Sequence, residues 1–113
     1  MNIAIVRGVV LREPSERTLA TGQKVVSLDV NVSYEDKPNE NLELVWVDPP
    51  RNLVVPRKGN EVFAIGRVRR RFYNPGSGVV SRTEVVADTV LTARQTSRIK
   101  RALEEAATTL TAG

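Results

Sequence analysis

The chain contains neither cysteine nor histidine. Without cysteine there is no disulfide framework, no thiol nucleophile and no thiolate metal site. Without histidine there is no imidazole base and no imidazole metal ligand. Neither a GxxxxGKS/T loop nor a GxGxxG turn occurs, so the two common phosphate cradles are absent. Acid pairs such as Glu35-Asp36 fall in polar loops beside cations, where a solvated surface explains them. No apolar run approaches the ~20 residues of a membrane span. The start, MNIAIVRG, has neither the basic stretch nor the long apolar run of a secretion signal. These absences predict a cytoplasmic protein that is not an enzyme, with no cofactor, no metal, no membrane association and no small-molecule substrate. Aromatic residues are also scarce: one Trp, two Tyr and two Phe in 113 residues.

What is present is positive charge, unevenly placed. The formal net charge is +4. Arg57 to Tyr73 holds six cations and one acid, residues 92–113 sum to +2, and the remainder sums to −3. Basic charge concentrated in one stretch is the footprint of a polyanion binder; the competing explanation is a solvated cationic strand with no ligand.

The length is that of one domain. Residues 2–11 read as an apolar strand with Gly8 as a bulge or bend. Residues 12–23 carry Pro14 and the turn signal Thr21-Gly22. From Lys24 to Tyr34, Val26, Leu28, Val30 and Val32 alternate with polar residues, as in a half-buried strand. Leu42 to Val47 is a further strand, followed by a turn of helix at most over residues 51–55. Glu61 to Tyr73 and Val79 to Leu91 flank the hairpin loop Asn74-Pro75-Gly76-Ser77-Gly78. Beyond Arg94, Ile99, Leu103, Ala106 or Ala107, and Leu110 recur at helical spacing. The fold predicted is an all-β, five-stranded closed barrel with a short C-terminal helix. It divides into a barrel over 1–92 and a basic, helical extension over 93–113.

The strand GNEVFAIGRVRRRFY carries the chemistry. Residues two apart share a face, so Arg67, Arg69, Arg71 and Tyr73 form one row opposite Val62, Ala64, Gly66 and Val68. Guanidiniums track phosphates and stack on bases, and a phenol ring offers a base a flat partner. The alternative is an edge strand that its charge protects from aggregation. Arg82, on the returning strand, joins the candidates. Trp46 shares parity with Leu42 and Leu44 and either packs in the core or stacks on a base. Tyr34 either stacks or caps the barrel. Phe63 is a second stacking ring or a subunit contact, and Phe72, with the parity of the buried row, is expected to be structural.

Taken in order, several motifs resemble the bacterial single-stranded-DNA-binding protein (SSB) family. They are the apolar strand ending in glycine (IAIVRG), Glu13-Pro14, Arg17 before a Thr-Gly turn, VVSLDVNVS, a Lys-Gly turn before EVFAIGRVR, and TEVVADTV after a Gly-rich hairpin. They span about residues 2–91. The resemblance implies an oligonucleotide/oligosaccharide-binding (OB) barrel that binds single-stranded DNA without sequence preference in replication, recombination or repair. It also implies assembly into homotetramers, partly through first strands; the small barrel and its apolar first strand predict a homodimer or homotetramer, with Ile3, Ile5, Arg7 and Val9 as the candidate interface. By matching position, Tyr73 falls where the family carries a base-stacking aromatic. Three departures stand out. The outward positions of the third strand read Glu43, Val45 and Val47 rather than aromatics, prolines curtail the helix that follows, and the chain ends TTLTAG rather than in an acidic tail. The second expectation is therefore an interaction module resembling the short primosomal members of the superfamily, dimeric bridges with weak nucleic-acid binding.

Overall fold

The computed structural model describes residues 1–33, 35–52 and 55–112. Its elements are β1 (Ala4–Val10), β2 (Ser15–Thr18), β3 (Lys24–Asn31), β4 (Asn41–Val47), β5 (Glu61–Tyr73), β6 (Val80–Thr92) and α1 (Thr96–Thr111). The strands pair in the order β1-β5-β6-β4-β3-β2, and a further pairing of β1 with β3 closes the ring. The closed part is the expected five-stranded barrel. β2 hangs on its outside, paired with β3 from Ser15↔Ser27 to Thr18↔Lys24. All four of its residues are exposed. That is why β2 leaves no apolar alternation in the sequence, where it reads only as a turn segment.

The alternating residues fill the barrel as their spacing dictates. Val26, Leu28 and Val30 of β3, Leu44 and Trp46 of β4, Val62 and Ala64 of β5, and Val85, Ala87 and Val90 of β6 form one apolar core. The helical turn expected over 51–55 includes Leu53 and Val54, which lie outside the described residues; Arg51 and Asn52 form a turn.

Two glycines make closure possible. β1 passes from its β5 partner to its β3 partner around Gly8, which pairs with Val62, while Val9 and Val10 pair with Asn31 and Val30. A Cβ on Gly8 would lie 2.5 Å from the Asn31 carbonyl oxygen. At Gly66 the register with β6 shifts: Ile65 faces Thr89 and Gly66 faces Ala87, leaving Asp88 as the extra residue of a bulge. Bulges bend a strand and increase its twist. Beyond Gly66, β5 has no β1 partner, β6 keeps its β4 partner as far as Glu84, and residues 70–73 and 80–83 continue as a two-stranded arm paired with each other. A Cβ on Gly66 would sit 2.0 Å from the Val86 carbonyl oxygen and 2.8 Å from the Ala87 Cα. Backbone atoms cannot swing aside, so Gly66→Ala is expected to lower stability by about 3 kcal/mol, the upper end of ordinary overpacking. A urea melt checks this; an unchanged midpoint would show that the bulge tolerates a side chain.

The arm also explains a departure from parity. Val68 and Phe72 continue the core-facing series of β5, but β5 has left the barrel by then, and Phe72 is 65 % exposed. Phe72 is therefore a surface residue and not the structural one its parity suggests. Asn2 braces the arm's base: its side-chain amide donates to the Val68 carbonyl, and its oxygen accepts from the Val68 N–H.

Candidate nucleic-acid interface

Arg67, Arg69, Arg71 and Tyr73 do share the outer face of β5, as alternation requires. Opposite them on β6 stand Val86, Glu84, Arg82 and Val80. The parallel partners on β4 continue the rows: Glu84 faces Glu43, and Val86 faces Val45. On β3, Asp29 faces Glu43 and Ser27 faces Val45. One line across four strands thus reads Arg69, Glu84, Glu43, Asp29. Three adjacent carboxylates would repel one another on a bare sheet, and four arginines hold them. Arg69 donates two hydrogen bonds to one Glu84 oxygen, at 2.9 and 2.5 Å. Arg71 lies 4.0 Å from Glu84 and 3.8 Å from Glu43. Arg82 bridges Glu43 at 3.8 Å and Asp29 at 3.9 Å, and Arg12 reaches Asp29 at 3.2 Å. Four cations against three acids leave this network a net charge of +1.

Glu84 is the buried centre, with 0 % exposure. Burial pushes its carboxyl up, but hydrogen bonds from Arg69 and Glu43 and the charges of Arg69 and Arg71 outweigh burial and hold it below the usual carboxylate value. Glu43 moves the other way. Burial and its hydrogen bond to Glu84 raise it, against the opposing charges of Arg82 and Arg71. The pair therefore takes up its first proton on Glu43, which then donates to Glu84. Arg71 Nε is buried without a hydrogen-bond partner, as is the second Glu84 oxygen while Glu43 is ionised.

The remaining candidates are dispersed. Arg67 makes no ion pair among the described residues and is exposed. Tyr73 is 44 % exposed, and the Arg71 guanidinium lies 5.7 Å from its ring centroid, within cation–π range. Trp46 is 2 % exposed in the core. It is withdrawn from the interface, because its inward parity with Leu44 holds through the whole of β4. Phe63 lies at the far end of β5 and faces Arg7 of β1. It lines a hollow with Ala93, Thr96 and Ile99 beneath α1, away from the arginine row. Tyr34 lies outside the described residues.

Of the first-strand candidates, Ile5 and Val9 are 52 % and 42 % exposed. Ile3 is half-buried, and Arg7 is exposed and paired with Glu61. Ile5, Arg7 and Val9 line an open groove of about 830 Å³ with Asn31, Glu40 and Leu42. Sequence reasoning missed the carboxylate line. Glu43 and Asp29 were visible as outward positions, but their approach to Glu84 depends on the parallel pairing of β4 with β6, which local patterning does not reveal.

Among known proteins, no family model matches the chain. It is 35 % identical over 77 residues to the single-stranded DNA-binding protein of Deinococcus radiodurans, an alignment covering 60 % of this chain and 26 % of that protein. The chain thus spans about a quarter of the length of that relative. Among solved structures, the Plasmodium falciparum SSB in complex with single-stranded DNA superposes with a TM-score of 0.65 at 21 % identity, covering 81 % of this chain and 94 % of that one. The dimeric N-terminal domain of PriB from Thermoanaerobacter tencongensis superposes with a TM-score of 0.64 at 16 % identity, covering 81 % and 96 %. The shared barrel shows an OB fold, and over the matched 77 residues the chain is similar to a single-stranded DNA-binding protein.

Proposed function

We propose that the chain binds single-stranded DNA without sequence preference, as a non-enzymatic, cytoplasmic, self-associating protein that coats strands in replication, recombination or repair. The barrel over 1–92 is the binding domain and residues 93–113 an extension of it. The observation that carries the reading is the outer face of β5, where Arg67, Arg69, Arg71 and an accessible Tyr73 ring follow one another along one strand, with Arg82 beside Arg71 on β6. Bases stack on Tyr73, and phosphates follow the guanidiniums. Self-association runs through β1, whose Ile5 and Val9 are exposed apolar residues beside an open groove. The similarity to an SSB solved with DNA and to a dimeric PriB domain supports both parts.

Titration of labelled oligo(dT) at two salt concentrations tests this. Tyr73→Ala should weaken binding about tenfold or more, since base–aromatic stacking contributes about 1–3 kcal/mol, while leaving the salt slope unchanged. Arg67→Ala should flatten the plot of log K against log salt by about 0.7, the value of one phosphate on a single strand. A wild-type chain that binds duplex equally well, or shows no salt response, refutes the reading. One observation favours the second reading, an interaction module that binds nucleic acid weakly: most guanidiniums of the row already hold carboxylates. Wild-type oligo(dT) affinity in Tyr73→Ala would decide for it.

A further inference from the structure

α1 is a helix that its own sequence does little to stabilise. Gln95 at its N-cap makes no side-chain cap bond, no acid lies in the first turn and no base in the last. Arg98, Lys100 and Arg101 sit toward its N-terminal end and Glu104 and Glu105 beyond them, the reverse of what the helix dipole favours. Thr108, Thr109 and Thr111 turn their hydroxyls back onto carbonyls four residues earlier, which weakens a helix slightly. Sixteen residues is close to the length at which even good helix formers are marginal in water. Yet no residue of α1 is buried. Near its start, Thr96 and Ile99 line a small hollow of about 230 Å³ with Arg7, Phe63 and Ala93. Further along, Leu103 and Leu110 are exposed.

At 100° per residue, Ile99, Ala102, Leu103, Ala106 and Leu110 fall on one stripe. Its flanks carry matched charge. Arg98 and Glu105 lie along one side, Lys100 and Glu104 along the other, each flank with its cation toward the N-terminus. None of these four makes an ion pair among the described residues. A second copy laid antiparallel, centred near Ala102, brings like flanks together with Arg98 toward Glu105 and Lys100 toward Glu104. A parallel copy would set cation against cation and acid against acid.

We propose that α1 is a self-association surface on which the apolar stripe packs antiparallel against the same stripe of a second copy. Burial of both stripes supplies the stability that the isolated helix lacks, and the flanking charges fix the direction. This interface uses none of the exposed apolar β1 residues Ile5 and Val9 and does not depend on DNA binding.

The test uses two full-length variants, Arg98→Glu/Lys100→Glu and Glu104→Lys/Glu105→Lys, followed by analytical ultracentrifugation without DNA. Each alone should dissociate at a protein concentration at least tenfold above that of the wild type. An equimolar mixture should reassemble near the wild-type concentration and, in native mass spectrometry, contain mixed species in excess of the statistical share. Far-UV circular dichroism follows α1 itself: helix signal lost in each variant should return on mixing. Wild-type assembly by both variants, or a mixture no more associated than its components, overturns the proposal. If mass is unchanged but oligo(dT) affinity falls with charge reversal at Arg98 and Lys100, α1 contacts DNA and not a second copy. Failure of the oligo(dT) titration in the wild type leaves the mass experiment untouched.

Discussion

Trp46→Ala should lower folding stability by about 3–5 kcal/mol, as truncation of a buried aromatic does, with less than a twofold change in the oligo(dT) affinity of the folded fraction. Total stabilities of small domains are about 5–15 kcal/mol, so this single truncation removes a large share. The side chain lies between Val26 and Ala87 of the neighbouring strands and packs with Leu28, Leu44 and Val85. Chemical denaturation gives the loss directly. A second readout comes from composition: Trp46 is the single tryptophan, so its emission reports on the core. Saturating oligo(dT) should leave that emission nearly unchanged, while urea shifts it. Strong quenching by DNA, together with a well-folded Trp46→Ala that no longer binds, would mean that β4 presents its tryptophan outward.

The same residue marks how far the sequence can be read. Its parity with Leu42 and Leu44 points inward, and the barrel obeys it, because a strand buried on one face has no freedom to slip by one residue. The alternation of Val26, Leu28 and Val30 and the arginine row of β5 follow for the same reason. Phe72 fails because parity tells which face a side chain shares and not where the barrel ends. The bulge at Gly66 lets the arm leave the core while the alternation continues unchanged. β2 escapes notice because it buries nothing. The carboxylate line at the interface was out of reach for a different reason. Asp29, Glu43 and Glu84 come from three strands, and only the parallel β4–β6 pairing puts two of them side by side.

That line turns the arginine row from an open phosphate track into a balanced network, and Glu84→Gln measures the balance. Glu84 is buried, with both Arg69 hydrogen bonds on one oxygen. Removing one member of a buried pair typically lowers stability by about 3–5 kcal/mol. Arg69 retains 44 % side-chain exposure and can turn to solvent, so a loss near about 3 kcal/mol is expected. Affinity should move the other way. With Glu84 neutral the network rises from +1 to +2, so oligo(dT) binding at low salt should tighten, with a salt slope steeper by up to about 0.7.

Acid titration of the wild type should separate the two carboxyls. Glu84 is held below the ordinary value of 4.5, so its stabilisation is present above that pH and is lost as pH falls through the lowered value. Glu43 is raised, so its contribution is present below 4.5 and lost as pH rises through the raised value. On mild acidification the first proton goes to Glu43, removing one negative charge from beside the arginine row while the Arg69–Glu84 pair stays intact. Oligo(dT) affinity should therefore rise as pH falls through the raised Glu43 value, before stability falls, and Glu43→Gln should abolish that rise. If Glu84→Gln and Glu43→Gln both weaken binding at every salt concentration, the carboxylates orient the arginines for phosphate instead of competing with it.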